Sequence, residues 1–219
     1  MIDAVIFDLD GVLIDSERVW NAARRALTLE RGGRWSDEAP RAMMGMSSTE
    51  WSRYMHDTLA VELSAQDISR EVVARLEQAY RRRLPLLPGA REAVERLARR
   101  WPLALASSAN RPLIDLVLDL SELRSRFVAS VSSEEVARGK PAPDVYLEAA
   151  RRLDTPPSAC AAIEDSTNGL RAAAAAGMTV VAIPNRDFPP AEDALSLADG
   201  VVDSLLELDA ELVGGLAAG

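Results

Sequence analysis

The chain is short of several residues on which enzymes and membrane proteins often depend. Its 219 residues include one cysteine and one histidine, Cys160 and His56. A single cysteine excludes an intrachain disulfide and fits a reducing compartment, while a single histidine argues against a Ser-His-Asp triad or a histidine-rich metal centre. No apolar run approaches the roughly 20 residues that cross a bilayer. These absences predict a cytoplasmic protein whose chemistry uses other side chains.

Basic residues are outnumbered by acidic ones. The chain has 25 lysine and arginine residues against 34 aspartate and glutamate residues, for a net charge of −9. This balance argues against nucleic acid and an anionic membrane surface as partners, because both would repel the protein. The net charge does not exclude a small anionic substrate, because a metal ion and a lysine can reverse the electric field at a binding site. The chain starts with a strand pattern that no basic segment precedes, so we expect no secretory signal. We also expect the protein to be a monomer or a weak homodimer.

The most informative stretch is an apolar run that ends in two acids. Residues 4–7 read Ala-Val-Ile-Phe, and Asp8, Asp10 and Gly11 follow directly. A short run with β-branched and aromatic residues predicts a buried strand of a parallel sheet. Residues two apart in an extended chain project to one side, so both acids should meet at the carboxyl end of that strand, where open α/β sheets bind ligands. Such a pair needs a cation or a proton, which predicts a metal-assisted nucleophile beside a general acid/base.

The rest of the chain divides into a helical part and an alternating part. Helical signals dominate residues 16–84, and Ser16 or Asp15 can cap the first helix. Beyond this segment, strand patterns alternate with helix patterns, which predicts a parallel sheet with right-handed crossovers. We therefore predict an α/β, Rossmann-like core built from residues 1–15 and 85–219, with an all-helical insert between the two pieces.

Other predicted strands of the core also lead into polar groups. Ser107 ends the second strand, Lys140 lies in a loop after the third, and Glu164 and Asp165 end the fourth. Parallel strands bring their carboxyl ends to one edge of the sheet, so these groups should converge there. Acidic oxygens from two strands suit a hard divalent cation such as Mg²⁺, and a hydroxyl with a lysine suits phosphate oxygens. Phosphoryl transfer mainly needs a positioned nucleophile and positive charge around the transferred group.

Each of these motifs is weak when taken alone. Asp-x-Asp-Gly also occurs in turns and calcium loops, although an EF-hand fails here because Val19 stands where its bidentate glutamate belongs. By themselves, Ser107 is typical of a structural cap and Lys140 of a solvated surface. The chain lacks the glycine-rich motifs of dinucleotide-binding and P-loop folds, which argues against both. The prediction therefore rests on the joint placement of the motifs.

In combination, the motifs resemble those of the haloacid dehalogenase (HAD) superfamily. The segment Phe-Asp-Leu-Asp-Gly-Val-Leu-Ile-Asp-Ser at residues 7–16 matches its first motif, and Leu-Ala-Ser-Ser at residues 105–108 resembles the second. Lys-Pro-Ala-Pro-Asp at residues 140–144 and Ile-Glu-Asp-Ser at residues 163–166 resemble the third and fourth. The resemblance covers essentially the whole chain. It implies a HAD-like core, with residues 16–84 as the small helical cap of the branch that includes phosphoglycolate phosphatases and β-phosphoglucomutases.

The resemblance also implies a role for each motif residue. Asp8 would attack phosphorus and form an aspartyl-phosphate, while Asp10 would protonate the leaving oxygen and then deprotonate the attacking water. True dehalogenases of the superfamily lack the second aspartate, so Asp10 implies phosphate esters as substrates. The implied Mg²⁺ ligands are Asp8, Asp10 through its carbonyl, Asp165, and Glu164 as a ligand or a neighbour of the ligands. The implied phosphate-binding residues are Ser107, Ser108, Asn110 and Lys140.

The cap departs from the pattern of the mutases. The candidate substrate contacts are Gly45, Ser48 and Trp20, but Ser48 stands where the mutase loop carries an arginine for the distal phosphate, and Trp20 stands where a histidine is usual. Without that arginine a second phosphate lacks its bidentate clamp. We therefore predict an Mg²⁺-dependent phosphatase of a small phosphorylated metabolite, such as a sugar or polyol monophosphate, in preference to a β-phosphoglucomutase-like hexose-phosphate mutase.

A non-enzymatic phospho-acceptor module of the receiver type is a third hypothesis. Receivers also combine acidic residues, a hydroxyl and a lysine. However, they normally have no helical insert after the first strand, and their acceptor aspartate lies on a later strand. The position of Asp8 therefore favours an enzyme.

Overall fold

Residues 1–216, which the computed structural model describes, form six strands and ten α-helices. The strands are β1 (Ala4–Phe7), β2 (Leu103–Ser107), β3 (Phe127–Ser132), β4 (Cys160–Glu164), β5 (Thr179–Ala182) and β6 (Gly200–Val201). The helices are α1 (Glu17–Glu30), α2 (Ala39–Met43), α3 (Ser48–Asp57), α4 (Ala65–Arg82), α5 (Ala90–Ala98), α6 (Arg111–Leu120), α7 (Asp144–Arg152), α8 (Thr167–Ala175), α9 (Glu192–Leu195) and α10 (Ala210–Leu216). Within residues 1–216, none of the helices has both the length and the apolar character that a bilayer crossing requires.

The strands form one parallel sheet in the order β3-β2-β1-β4-β5-β6. Strand β1 lies inside the sheet, where Phe7 pairs with Leu105 of β2 on one side and with Ile163 of β4 on the other. The order of the strands reverses at β1, and such a switch point opens a crevice outside the carboxyl ends of the strands. The predicted parallel α/β fold is confirmed, and the loops after β1, β2 and β4 meet at this crevice.

Apolar packing on both faces holds β1 in place. Its four side chains are completely buried. Val5 and Phe7 point to the face covered by α5 and α6, and Ala4 and Ile6 point to the face covered by α7 and α8. Burial on both faces explains why the run is apolar throughout instead of alternating. The strand is therefore a rigid base for the acids that follow it.

The segment between β1 and α5 is helical, as predicted. It contains α1 to α4 and, within residues 17–82, no strand. Helix α4 packs against both α1 and α3, and its buried residues Ile68, Val72, Leu76 and Tyr80 form one face. At its start the Ser64 hydroxyl accepts a hydrogen bond from the Asp67 backbone N–H, as the capping pattern requires. The division of the chain into a core and a cap domain at residues 16–84 stays a prediction.

Ser16 does not act as the predicted helix cap. It precedes α1, but its side chain makes no capping hydrogen bond to that helix. Its hydroxyl instead donates to Asp10 Oδ1 at 2.6 Å. The negative charge of the carboxylate makes this a strong hydrogen bond, which fixes the hydroxyl beside Asp10. The residue that was expected to begin a helix therefore holds one of the two acids.

Candidate active site

A cavity at the carboxyl edge of the sheet contains the acids predicted from the sequence. Asp8 and Asp10 reach it from the loop after β1, Lys140 from the loop before α7, and Asp165 from the end of β4. Trp20 and Gly45 line the same cavity from the helical segment. The structure thus brings together residues that are more than 150 positions apart in the chain.

Lys140 is the centre of a buried network of charges. It is the only lysine of the chain and is 4% exposed. Its Nζ donates to Asp8 Oδ1 at 2.7 Å, to Glu164 Oε1 at 2.6 Å and to the Ala106 carbonyl at 3.1 Å. A buried ammonium with carboxylate and carbonyl acceptors is well compensated and has little freedom to move. Lys140 therefore holds positive charge at a fixed point beside Asp8.

The carboxylates at this site strongly affect one another. Burial raises the pKa of Asp8 to about 8, against the opposing effect of Lys140, and Glu164 and Asp10 raise this pKa further. Burial by itself lowers the pKa of Lys140, but the charges of Asp8 and Glu164 outweigh that effect and raise its pKa above the ordinary value. The pKa of Asp165 is raised well above its usual value by burial and by its acidic neighbours. This excess of buried negative charge calls for a further cation.

Glu164 is fully buried, and protein donors engage both of its oxygens. Oε1 accepts hydrogen bonds from Lys140 and from the Tyr146 hydroxyl, the latter at 2.8 Å. Oε2 accepts from the backbone N–H groups of Asp165 and Ser166 and from the Ser166 hydroxyl. The arrangement fixes the carboxylate that in turn holds Lys140. Tyr146 carries no signal of this role in the sequence, because it is a buried aromatic on the inner face of α7 and resembles an ordinary core residue.

Gly169 in α8 makes room for the Glu164 carboxylate. A Cβ atom added at Gly169 would lie 1.8 Å from Glu164 Oε1. Alanine usually stabilises a helix interior relative to glycine by about 1 kcal/mol, but here it must displace a buried, fully bonded carboxylate. We expect Gly169→Ala to lower the free energy of unfolding by roughly 2–3 kcal/mol, measured by chemical denaturation.

The matched control for this prediction is Gly215→Ala in α10. A Cβ atom there meets no heavy atom within 4 Å, and the residue is exposed. This variant should be neutral or slightly stabilising, as helix propensity requires. Equal effects of the two alanines would contradict the packing of Gly169 against Glu164.

The acidic groups fit a divalent metal ion. Oxygen atoms of Asp8, Glu164 and Asp165 lie within 4.8 Å of one another. Asp165 Oδ1 is buried and, within residues 1–216, has no hydrogen-bond partner, so a ligand oxygen is free. Gly11 leaves the space that Asp165 occupies, since a Cβ atom at Gly11 would lie 1.9 Å from Asp165 Oδ2. The donors are all hard oxygens, as Mg²⁺ prefers.

Asp10 is held from two sides. Its Oδ1 accepts hydrogen bonds from the Ser16 hydroxyl at 2.6 Å and from Trp20 Nε1 at 3.0 Å. Its Oδ2 accepts a longer bond, 3.4 Å, from the Ser107 hydroxyl, which also accepts from the Ala109 backbone N–H. Trp20 therefore contacts a core acid directly, in addition to lining the cavity from the helical segment.

The remaining predicted site residues fall into two groups. Ser108 lines the cavity, and its hydroxyl is buried without a partner among the described residues. Asn110 and Ser48 do not line that cavity. Their side chains meet at Glu134 Oε1 instead, at 2.7 Å from Asn110 Nδ2 and 3.0 Å from the Ser48 hydroxyl. Glu134 thus links the start of α3 to the start of α6, and phosphate or substrate binding by Asn110 and Ser48 stays a prediction.

The cavity is also lined by residues that belong to none of the sequence motifs. They include Glu17 and Arg24 of α1, Trp51 of α3, and Asn185 and Phe188 after β5. Arg24 could have been found by its spacing, because it falls with Trp20 and Leu27 on the buried face of α1. A charged residue on an apolar helix face is a signal of function or of a buried ion pair. The residues after β5 carry no comparable signal.

The chain is similar to known proteins in both sequence and structure. A family model described as haloacid dehalogenase-like hydrolase matches residues 2–177. Hexitol phosphatase B of Escherichia coli (strain K12) is 34% identical over 227 residues, which cover 95% of each chain. A protein of Drosophila melanogaster named probable pseudouridine-5'-phosphatase is 33% identical over 216 residues, covering 95% of this chain and 92% of the relative. The crystal structure of CbbY from Rhodobacter sphaeroides in complex with phosphate superposes with a TM-score of 0.86 at 28% identity, covering 98% of this chain and 100% of that one.

Proposed function

Because the chain belongs to the haloacid dehalogenase-like hydrolase family, we propose that it is an Mg²⁺-dependent phosphatase that hydrolyses a sugar or polyol monophosphate through an aspartyl-phosphate. The observation that carries the proposal is the pairing of buried Asp8 with Lys140 in a cavity shared with Asp10 and Asp165. Relatives named as hexitol phosphatase and carbohydrate phosphatase support this substrate class. The phosphoric monoester hydrolase activity follows from the family and from the phosphatases among its relatives.

In the first half of the reaction Asp8 is the nucleophile. An oxygen of its carboxylate forms a bond to phosphorus as the bond from phosphorus to the ester oxygen breaks. Asp10 donates a proton to the departing oxygen, so the alcohol leaves as a neutral molecule. Ser16 and Trp20 keep Asp10 in place for this transfer. Lys140 places its positive charge beside the phosphoryl oxygens.

In the second half Asp10 is the general base. It removes a proton from a water molecule whose oxygen attacks the phosphorus of the aspartyl-phosphate. The bond between phosphorus and the Asp8 oxygen breaks, which releases phosphate and restores the carboxylate. Mg²⁺ held by Asp8, Asp165 and the Asp10 carbonyl would add positive charge at the transferring group, while Glu164, whose two oxygens already accept five hydrogen bonds, anchors Lys140. The helical segment at residues 16–84 would act as a cap that limits the access of water.

Phosphate release from the purified protein tests this function and its dependence on metal. With Mg²⁺ we expect turnover of at least one sugar or polyol monophosphate in a panel of such esters. Excess chelator should lower the rate by roughly 10²-fold or more, and added Mg²⁺ should restore it, because the acidic cluster then lacks its cation. The rate is followed by colorimetric detection of inorganic phosphate.

Three other results would contradict the proposal. Full activity in excess chelator would show that turnover does not require Mg²⁺. Isomerisation of a hexose phosphate that requires a bisphosphate activator, with little free phosphate, would identify a mutase. An aspartyl-phosphate that persists for minutes without turnover would identify a phospho-acceptor module.

A further inference from the structure

Arg24 is a buried cation that has no hydrogen-bond acceptor and no ion-pair partner among residues 1–216. It is 4% exposed and lines the cavity of Asp8 and Asp10. Among residues 1–216 its guanidinium makes no hydrogen bond and no ion pair, and its Nε is fully buried and unpartnered. Burial lowers the pKa of Arg24 to about 10, with Glu17 and Asp10 opposing, so the side chain stays charged at neutral pH. An unpaired buried charge is costly, which makes this position unusual.

Two aromatic rings hold the guanidinium in place. Its Cζ lies 4.5 Å from the Trp20 ring centroid and 5.0 Å from that of Trp51. The two tryptophan rings also pack edge-to-face, with centroids 5.7 Å apart. These cation–π contacts offset part of the cost of burying the charge, but the rings provide no hydrogen-bond acceptor. The N–H groups at the edge of the guanidinium still need acceptors.

The acid at the start of the same helix does not provide those acceptors. Glu17 lies two turns before Arg24 and lines the cavity, but its Oε1 accepts from Asn21 Nδ2 at 3.1 Å and it forms no ion pair with Arg24 in the described chain. Thr28, one turn after Arg24, donates only to the Arg24 backbone carbonyl. The donors of Arg24 are therefore available to a molecule in the cavity.

We infer that Arg24 binds a carboxylate on the part of the substrate that leaves with the ester oxygen. The inference rests on the proposed function and narrows its substrate class to a phosphorylated sugar acid. The planar fork of a guanidinium matches the two oxygens of a carboxylate. One carboxylate charge also balances the single cation at this place, whereas a second phosphate would bring about two charges close to Glu17 and Asp10.

Three esters with six carbons separate the relevant chemistries. Sorbitol 6-phosphate ends in a hydroxymethyl group, 6-phosphogluconate in a carboxylate, and sorbitol 1,6-bisphosphate in a second phosphate. For the wild type we expect kcat/KM to be highest for 6-phosphogluconate, by about tenfold over sorbitol 6-phosphate. Arg24→Gln should remove most of this preference, and Arg24→Lys should keep only part of it because an ammonium lacks the fork.

The adjacent Arg25 provides the control, since it is exposed and does not line the cavity. Arg25→Gln should leave the preference among the three esters unchanged. If Arg24→Gln fails to fold, as judged by circular dichroism, Arg24→Lys carries the same test. A wild type that favours sorbitol 6-phosphate or the bisphosphate, or an Arg24 variant that keeps the wild-type preference, would overturn the inference.

Binding measured without turnover separates this inference from the proposed function. In an Asp8→Asn background, calorimetry should give a Kd for 6-phosphogluconate that rises about tenfold when Arg24→Gln is added, and much less for sorbitol 6-phosphate. If no ester is hydrolysed by the wild type but this difference is found, the proposed function fails and the carboxylate site stands. Equal changes for both ligands would show that Arg24 only supports the packing of Trp20 and Trp51.

Discussion

Asp8→Asn is expected to lower phosphate release by roughly 10⁴-fold or more, because the amide cannot form the bond to phosphorus. The fold should be retained, since asparagine has nearly the same shape and its oxygen can still accept the hydrogen bond from Lys140. Burial raises the pKa of Asp8 from 3.8 to about 8, so in metal-free protein the folded state loses stability as pH rises through this range. A neutral side chain removes that loss. The melting midpoint at neutral pH, measured in chelator, should therefore be unchanged or higher.

The control for Asp8 is Asp3, an exposed aspartate just before β1. Asp3→Asn should keep both the rate and the melting midpoint of the wild type. Because an asparagine can deamidate to aspartate, the mass of the Asp8 variant is checked before and after the assay. Turnover by an intact Asp8→Asn protein at more than a few per cent of the wild-type rate would exclude Asp8 as the nucleophile.

Lys140→Met is expected to damage both catalysis and stability. Removal of the ammonium leaves Asp8 and Glu164 buried without their shared cation, and breaking a buried ion pair in this way costs about 3–5 kcal/mol. The rate should fall by roughly 10³-fold, since the transferring phosphoryl group also loses a fixed positive charge. Denaturant unfolding and phosphate release at saturating ester measure the two effects. Folded protein for the rate measurement can be kept at low temperature with Mg²⁺.

Arg138→Met is the matched control for Lys140. Arg138 lies in the same loop, but it is exposed and pairs with Asp144 at the surface. Its loss should change the unfolding free energy by less than about 1 kcal/mol and leave the rate near the wild-type value. A folded Lys140→Met protein with wild-type turnover would contradict the role of Lys140. Because Lys140 is the only lysine, ¹⁵N-lysine labelling also gives a single side-chain signal that reports its environment directly.

The central strand and the order of the motifs could be predicted because they depend on local chemistry. The run before Asp8 is apolar at every position, as a strand buried on both faces requires. Glycine and proline divide the later chain into short alternating segments, and topology rules then place the strand ends at one edge. This is why Asp8, Lys140 and Asp165 could be expected together before any coordinates were known.

The partners of those residues could not be predicted, because they depend on how distant segments pack. Ser16 has the sequence signature of a helix cap, but its hydroxyl donates a hydrogen bond to the Asp10 carboxylate and makes no capping hydrogen bond. The family resemblance implies that Ser48 and Asn110 contact substrate or phosphate. In the structure both side chains donate to Glu134, which resembles an ordinary surface acid in the sequence. Hydrogen bonds between side chains far apart in the chain leave no periodic pattern.

The sequence alone determined the parallel α/β fold, the helical segment after β1 and the set of groups at the carboxyl edge, since each follows from residue type and spacing along one strand or loop. Only the tertiary structure decided that Tyr146 and Gly169 support Glu164, and that Arg24 lines the cavity with no hydrogen-bond acceptor in the described part of the chain. The reason is physical. The polarity of a side chain is a property of the residue, but whether its donors and acceptors are satisfied depends on every segment that packs around it.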